Sequence, residues 1–272
     1  MGNNGIPNYY GRQLVRTIRR LREQCELTQE EAGAKLHLSL QKLSRIENGQ
    51  LPGYHELRAM LKLYGLPQSG WDPCFRLWER AKQRGWWRKF GVPDTTYICM
   101  EQEASRMTEF ALGRLPELLQ TEGYARRAAQ CGFPGDEAAA DGAVKVQLRR
   151  QDRLFRDEEQ LTLHVLLHEP ALYQGGDREQ WIELYQRAQL PNITVQVIEQ
   201  RAGLHSGLDG PVALLEFDDP EEPDIVFAGS VLGLSSTQDE ERTAAVRARL
   251  ERLTELALSP EDTLAALRGL IG

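Results

Sequence analysis

Apolar residues in the first seventy positions recur at helical spacing. Leu14, Ile18 and Leu21 lie at i, i+4 and i+7 and form one face of a first helix. Similar patterns follow after short breaks, the last of which is a turn predicted at Pro52-Gly53. Four helices are predicted in this region, carried by Leu14–Leu21, by Thr28–Leu36, by Ser39–Asn48, and by Leu57, Leu61 and Tyr64.

Local signals fix where the second and third helices begin and end. Thr28 followed three residues later by Glu31 is the pattern of a capping box. Ser39 is a candidate N-cap for the third helix, and Gly49 follows its end as a typical C′ residue. Between the two helices, His37 is among the few non-glycine residue types enriched at positive φ. The pattern therefore predicts a sharp helix–turn–helix bend at His37.

The rest of the chain mixes helical periods with alternating segments. Strands are predicted at Leu161–Leu167, Ile193–Val197, Val212–Phe217 and Asp224–Val231, with the last two forming a hairpin. Helices are predicted over about 98–111, 121–131, 141–156 and 170–189, and through the last quarter of the chain. Ser259 followed by Pro260 marks the start of the final helix. This order indicates an α+β domain in which helices pack on a small sheet.

Three segments follow from this pattern. Residues 1–68 form an all-α four- or five-helix domain, 69–96 a Trp-rich helical connector, and 97–272 the larger α+β domain. The connector carries Trp71, Phe75 and Trp78 at helical spacing. These aromatic residues could form an interdomain core or stack on bases, and the sequence favours the core.

Composition excludes several classes of protein. With 41% hydrophobic and 27% charged residues in a chain of 272, the sequence is that of a globular protein. No apolar run approaches the length of a membrane span, and the N-terminal residues do not resemble a signal peptide. The four cysteines form no CxxC pair, which argues against a zinc site or a disulfide framework. We expect a cytoplasmic, nucleoid-associated protein without a membrane partner.

The net charge of −7 conceals an uneven distribution. Residues 1–90 contain 16 Lys and Arg against 8 Asp and Glu, whereas residues 91–272 contain 17 against 32. The first part therefore carries a charge of +8 and the second −15. Such asymmetry makes the basic part a candidate for binding a polyanion.

The basic part resembles the XRE-type, lambda-repressor-like helix-turn-helix domain. The resemblance is carried by Leu27-Thr28-Gln29-Glu30-Glu31-Ala32, by Leu38-Ser39, and by Leu43-Ser44-Arg45-Ile46-Glu47-Asn48-Gly49. It implies that the third helix enters the major groove of double-stranded DNA. By position, the base-reading residues would be Leu40, Gln41 and Arg45. Glutamine can pair with adenine, arginine with guanine, and leucine can contact a thymine methyl group.

The same resemblance assigns further roles. The residues expected at the DNA backbone are Gln29, Ser39, Lys42, Ser44 and Asn48. Arg22 and Glu47 are expected to form a partly buried ion pair that orients the first helix against the third. Because operator symmetry usually mirrors a protein dimer, we expect a homodimer on a short palindromic operator.

Catalytic and metal-binding patterns are weak in the acidic part. The motifs GxxxxGK[ST], GxSxG and HExxH do not occur. His164 and His168 would lie about 13 Å apart on a strand and could not share a metal ion. His205 and Asp209 lie in a Gly-rich loop, for which a plain surface loop is favoured over a ligand loop or a hydrolytic remnant. We expect no enzyme activity, no catalytic residues, no metal and no cofactor.

The acidic part resembles the C-terminal domain of WhiJ-like actinobacterial regulators. The matching segments are Trp86-Trp87, Tyr97 with Glu101 and Ala104, 115–126, 168–172, 192–198 and 257–260. The resemblance implies a transcriptional regulator, often a repressor, whose large domain binds a small BldB-like protein or senses a ligand. The alternatives are an antitoxin-like partner of such a small protein and, as the rival from another class, an enzyme tethered to DNA.

Overall fold

The computed structural model describes residues 8–93, 95–156 and 160–272. The chain divides into two compact units. Unit 1 comprises the described residues of Met1–Trp86 and Asp94–Met100, and unit 2 comprises those of Trp87–Pro93 and Glu101–Gly272. The segment predicted as a connector, 69–96, is thus divided between the two units. In the described ranges, no helix is both long and apolar enough to cross a membrane.

Unit 1 is helical. Its main helices are α1 (Tyr9–Gln24), α2 (Gln29–Leu36), α3 (Leu40–Glu47), α4 (Tyr54–Leu63) and α5 (Trp71–Lys82). The predicted apolar faces meet in one core, where Leu14, Ile18, Leu43, Leu57 and Leu61 are fully buried. Burying each such side chain contributes roughly 1.5–3 kcal/mol, which holds the short helices together.

The predicted bend between α2 and α3 is confirmed. His37 adopts the left-handed conformation, with φ 54° and ψ 35°, and closes α2. The Thr28–Glu31 capping box and the Ser39 N-cap are both present. A Cβ atom added at Gly33 would lie 2.9 Å from the Leu38 carbonyl oxygen, so a glycine permits this close turn.

The aromatic residues of α5 belong to the core of unit 1. Trp71, Phe75 and Trp78 all pack against that core. The indole N–H of Trp71 donates to the Leu66 carbonyl at 2.8 Å, and that of Trp78 donates to the Pro52 carbonyl at 2.8 Å. Because their polar groups are satisfied inside the unit, these two rings extend the helical core.

Unit 2 confirms the predicted α+β class and contains a six-stranded sheet. The strands are β1 (Arg106–Ala111), β2 (Thr162–His168), β3 (Ile193–Ile198), β4 (Val212–Glu216), β5 (Ile225–Ser230) and β6 (Gly233–Thr237). Their order is β3-β2-β1-β4-β5-β6, with β1, β2 and β3 parallel and the remaining pairs antiparallel. The helices are α6 (Thr96–Glu101, which crosses the unit boundary), α7 (Glu122–Gly132), α8 (Glu137–Gln151), α9 (Arg178–Arg187), α10 (Glu240–Leu256) and α11 (Pro260–Ile271).

The prediction of a helix over 98–111 was wrong. Helix α6 ends at Glu101, and β1 occupies Arg106–Ala111 beside β2 and β4. Met107 is buried on one face of this strand and Phe110 on the other, both fully. A strand covered on both faces loses the polar and apolar alternation that identifies a strand.

Helix α10 covers one face of the sheet. Phe110, Leu166 and Leu214 pack there against Leu250 and Leu253 of the helix. The apolar stripe of α10 is therefore core within the unit. Helix α11 then begins as predicted, with Ser259 as N-cap and Pro260 in the first turn.

A polar cluster lies at the other face of the sheet. The guanidinium of Arg150 on α8 pairs with the buried carboxylate of Glu101 and with Glu117. Glu109 of β1 lies near this cluster between its register neighbours Val165 and Ala213. Burial raises the pKa of the Glu109 carboxyl to about 8, with Glu117 and Glu101 raising it further and Arg150 opposing them.

Candidate nucleic-acid interface

Helix α3 presents two chemically distinct faces. Leu43, Ile46 and Glu47 are buried and hold the helix against the core of unit 1. Gln41 and Arg45, four residues apart, are exposed on the opposite face. An eight-residue helix anchored along one side in this way leaves its other side available to a partner.

Residues of α2 and α3 form one open depression on unit 1. Its lining consists of Gln29, Leu40, Gln41, Ser44 and Arg45. The depression therefore contains the three residues predicted to read bases and two of those predicted to contact the backbone. Leu40 is 50% exposed and contributes an apolar side chain to this lining.

The donors in this depression are available for binding. Within the described residues, neither Gln41 nor Arg45 makes a side-chain hydrogen bond or an ion pair. A free amide and a free guanidinium on one helix face match the paired donors and acceptors of adenine and guanine in the major groove. The exposed methyl groups of Leu40 add an apolar surface beside them.

The other three predicted backbone-binding residues are not part of this lining and have partners within the unit. The Ser39 hydroxyl accepts from the Lys42 amide at 3.1 Å as the N-cap of α3. The Lys42 ammonium lies 3.4 Å from a carboxylate oxygen of Glu56 on α4. Asn48 donates from its side chain to the Ser44 carbonyl at 2.7 Å. These contacts orient the three side chains before any partner binds.

Glu47 joins three helices at one carboxylate. Arg22 of α1 donates to it from Nε at 2.6 Å and from Nη2 at 2.9 Å. Gln29 of α2 donates to its Oε2 at 2.7 Å. The hydrogen bond to Glu47 raises the pKa of Arg22 despite its burial. This arrangement fixes α3 against α1 and α2 and thereby positions the exposed face of α3.

Sequence reasoning missed Glu56. Its carboxylate accepts from the Gly53 amide at 2.7 Å and caps α4, while its other oxygen faces Lys42. The spacing of a glycine and a glutamate three positions later, at a predicted turn, was the signal that could have identified this cap.

The candidate residues of unit 2 have structural contacts. His164 hydrogen-bonds to Gln196 at 2.9 Å, and desolvation lowers its pKa. The rings of His168 and His205 are in contact, with centroids 5.4 Å apart, and His205 Nδ1 accepts from the Gly207 amide at 3.2 Å. Across the described ranges, no three His, Cys, Asp or Glu side chains are grouped so as to hold a metal ion.

The fold and the exposed face of α3 define unit 1 as a helix-turn-helix domain, the kind of domain found in DNA-binding regulators. A helix-turn-helix family model matches residues 13–70. The chain belongs to the family described as a domain of unknown function, DUF5753, whose model matches residues 95–269. Neither the curated proteins nor the solved structures contain a match to the chain.

Proposed function

We propose that the protein is a sequence-specific transcriptional regulator of the XRE type that places α3 in the major groove of double-stranded DNA. The observation that carries this proposal is the depression in which Leu40, Gln41 and Arg45 lie together. The groove is wide enough for an α-helix, and the two polar side chains have no competing partner within the described residues.

Each residue has a distinct role in this proposal. Arg45 pairs with a guanine, Gln41 pairs with an adenine, and Leu40 contacts a thymine methyl group. The residues that hold the DNA backbone are Gln29, Ser39, Lys42, Ser44 and Asn48. Such contacts set the register of the helix on the duplex without reading sequence.

The uneven charge supports different functions for the two parts of the chain. Residues 1–90 carry +8 and attract phosphate, whereas residues 91–272 carry −15 and repel it. We propose that unit 2 receives a signal by binding a small BldB-like protein or a ligand, as in WhiJ-like regulators. Binding at a promoter would then make the protein a repressor that the signal releases. The alternative is an antitoxin-like role with the same small protein.

Selection from a random duplex library tests the DNA-binding proposal. The full chain is expected to enrich one short palindromic site, to which it binds as a homodimer. The Arg45→Ala variant is then compared with wild type by fluorescence anisotropy. We expect it to lose roughly 1–3 kcal/mol of specific binding and to relax discrimination at one G·C pair.

Arg252→Ala provides the matched control. Arg252 is an exposed arginine on α10 of unit 2, so its removal changes the total charge equally. We expect this variant to bind the selected operator like wild type. Equal affinities of wild type and Arg45→Ala for the operator would contradict the role of Arg45, and failure to enrich any site would contradict sequence-specific binding.

A further inference from the structure

The two edges of the sheet differ in whether another segment of the chain binds their main-chain groups. At β3, both main-chain groups of Val197 are bound, one by Leu258 just before α11 and the other by Thr263 in the first turns of α11. The Val197 carbonyl accepts from the Leu258 amide at 2.8 Å, and the Val197 amide donates to the Thr263 hydroxyl at 3.1 Å. This edge is therefore closed to any further strand.

The opposite edge, β6, is open. Four of its five residues are exposed and the fifth, Thr237, is half-buried. The strand Gly233-Leu234-Ser235-Ser236-Thr237 contains no charged residue and no proline. Exposed edges in natural proteins usually carry one of these features to prevent pairing with another chain. The main-chain groups that β6 turns away from β5 can therefore accept a further strand.

Apolar side chains extend the open edge at one end. Val231 and Leu232, in the turn between β5 and β6, are essentially fully exposed, and Leu234 is 56% exposed. Three exposed branched aliphatic residues within four positions expose an apolar area that favours association. We refer to residues 231–237 as the open edge.

The charges beside the open edge determine which orientation a second copy can take. The segment beyond Thr237 carries Asp239, Glu240 and Glu241 against one cation, Arg242, so this end has a net negative charge. Asp224 lies at the same end, because it immediately precedes β5 and Val226 of β5 pairs with Thr237, but its carboxylate is paired with Arg247 at 2.6 Å. The other end, with Val231 and Leu232, is uncharged. Antiparallel pairing of two copies places each acidic end beside the partner's uncharged end, whereas parallel pairing would align like charges.

We propose that a second copy of this chain pairs with the open edge, β6 against β6, in antiparallel orientation about a two-fold axis near Ser235. The two six-stranded sheets then form one continuous sheet, in which Leu234 of each copy lies opposite Ser236 of the other. Such an interface is isologous and closes, so assembly stops at a dimer. This interface would be the dimer surface of the regulator proposed above, and its biological role rests on that proposed function.

A charge-swap experiment on the full chain tests this pairing. In the proposed register, Ser235 lies opposite Ser235 of the second copy, so like charges at this position repel. By light scattering after size exclusion, wild type is expected at twice the chain mass of 30.9 kDa. Ser235→Glu and Ser235→Lys alone are each expected at the monomer mass. An equimolar mixture of the two variants is expected to regain the dimer mass.

The controls separate pairing from folding. Both variants lose the hydrogen bond that the Ser235 hydroxyl donates to the Ala228 carbonyl. Loss of this bond therefore cannot explain a difference in mass between each variant alone and their mixture. Leu256→Glu and Leu256→Lys change an exposed leucine on α10 and are expected to remain dimeric. Should either Ser235 variant fail to fold by circular dichroism, the double variant Val231→Asp, Leu232→Asp at fully exposed positions is expected at the monomer mass.

Three outcomes would overturn the proposal: a monomeric wild type, dimers that survive the Ser235 substitutions, or a charge-swap mixture that remains monomeric. The mass is measured without DNA, and Arg45→Ala is expected to be dimeric. Loss of operator binding and loss of the dimer are thus separate results, so failure of the DNA-binding proposal is distinguishable from failure of this one.

Discussion

The guanidinium of Arg22 on α1 donates two hydrogen bonds to the carboxylate of Glu47 at the end of α3, 25 residues away in sequence. Both side chains are almost completely buried, with 8% and 2% of their surface exposed. Gln29 joins them at the same carboxylate. A buried ion pair of this kind fixes the placement of helices because neither partner can move without leaving a charge unpaired.

Glu47→Ala is therefore expected to destabilise unit 1 strongly. Removing one partner of a buried pair leaves an uncompensated charge and costs about 3–5 kcal/mol. Urea unfolding followed by circular dichroism measures the change. Arg19→Ala, which breaks the exposed Arg19–Glu23 pair, is the control and should cost less than about 1 kcal/mol. A Glu47→Ala variant as stable as Arg19→Ala would contradict the structural role of this pair.

His37 should be replaceable by glycine with a gain in stability. A side chain at φ 54° carries a steric cost of roughly 1 kcal/mol that glycine avoids. We expect His37→Gly to raise the melting temperature measured by calorimetry. Ala59→Gly, at an exposed position in the interior of α4, is the control and should lower it, because glycine weakens a helix interior. A lower melting temperature for His37→Gly would show that the imidazole itself stabilises the turn.

Lys42→Ala should weaken DNA binding without changing sequence preference. We expect its ammonium to contact phosphate, so its removal reduces affinity equally for the operator and for a scrambled duplex. The slope of log affinity against log salt concentration should fall by about 1. Anisotropy titrations at several salt concentrations measure both quantities. A selective loss on the operator alone would instead assign Lys42 to base reading.

The raised pKa of Glu109 predicts that the free energy of unfolding decreases as the pH rises. Its pKa in the folded protein is raised from the ordinary 4.5 to about 8, mainly by burial. The folded state therefore favours the protonated carboxyl. The stability that the protonated carboxyl contributes to the folded state is fully present below the unfolded pKa of 4.5. It is lost as the pH rises through about 8.

Unfolding free energies of Glu109→Gln and wild type test this dependence. Glutamine remains neutral, so the variant should match wild type near pH 4.5 and exceed it near pH 8. Glu255→Gln, at an exposed position on α10, should follow the wild-type pH profile. Parallel profiles of Glu109→Gln and wild type would show that Glu109 is already ionised in the folded state.

Local signals predicted unit 1 well because its elements are short and capped. The Thr28–Glu31 box, the Ser39 N-cap and the left-handed His37 each depend on residues within a few positions of one another. The same locality placed Gln41 and Arg45 on one helix face. The contact between Lys42 and Glu56 lies beyond this range, because it depends on how α4 packs beside α3.

The centre of unit 2 could not be predicted in the same way. β1 pairs with residues more than fifty positions away on one side and about a hundred on the other. Its residue Glu109 is a carboxylate between apolar register neighbours and beside the cluster of Arg150, Glu101 and Glu117, whereas a sequence pattern assigns a carboxylate to a surface. β6 lacked a strand signal because its small polar residues have no buried face. Both strands are defined by their neighbours in the sheet.

The two units are interleaved along the chain, since Trp87–Pro93 belongs to unit 2 although it precedes the last segment of unit 1. A single cut therefore cannot release both units whole: a fragment ending at Trp86 lacks part of unit 1, and one beginning at Glu101 lacks part of unit 2. A fragment that contains either unit whole must therefore also carry residues of the other.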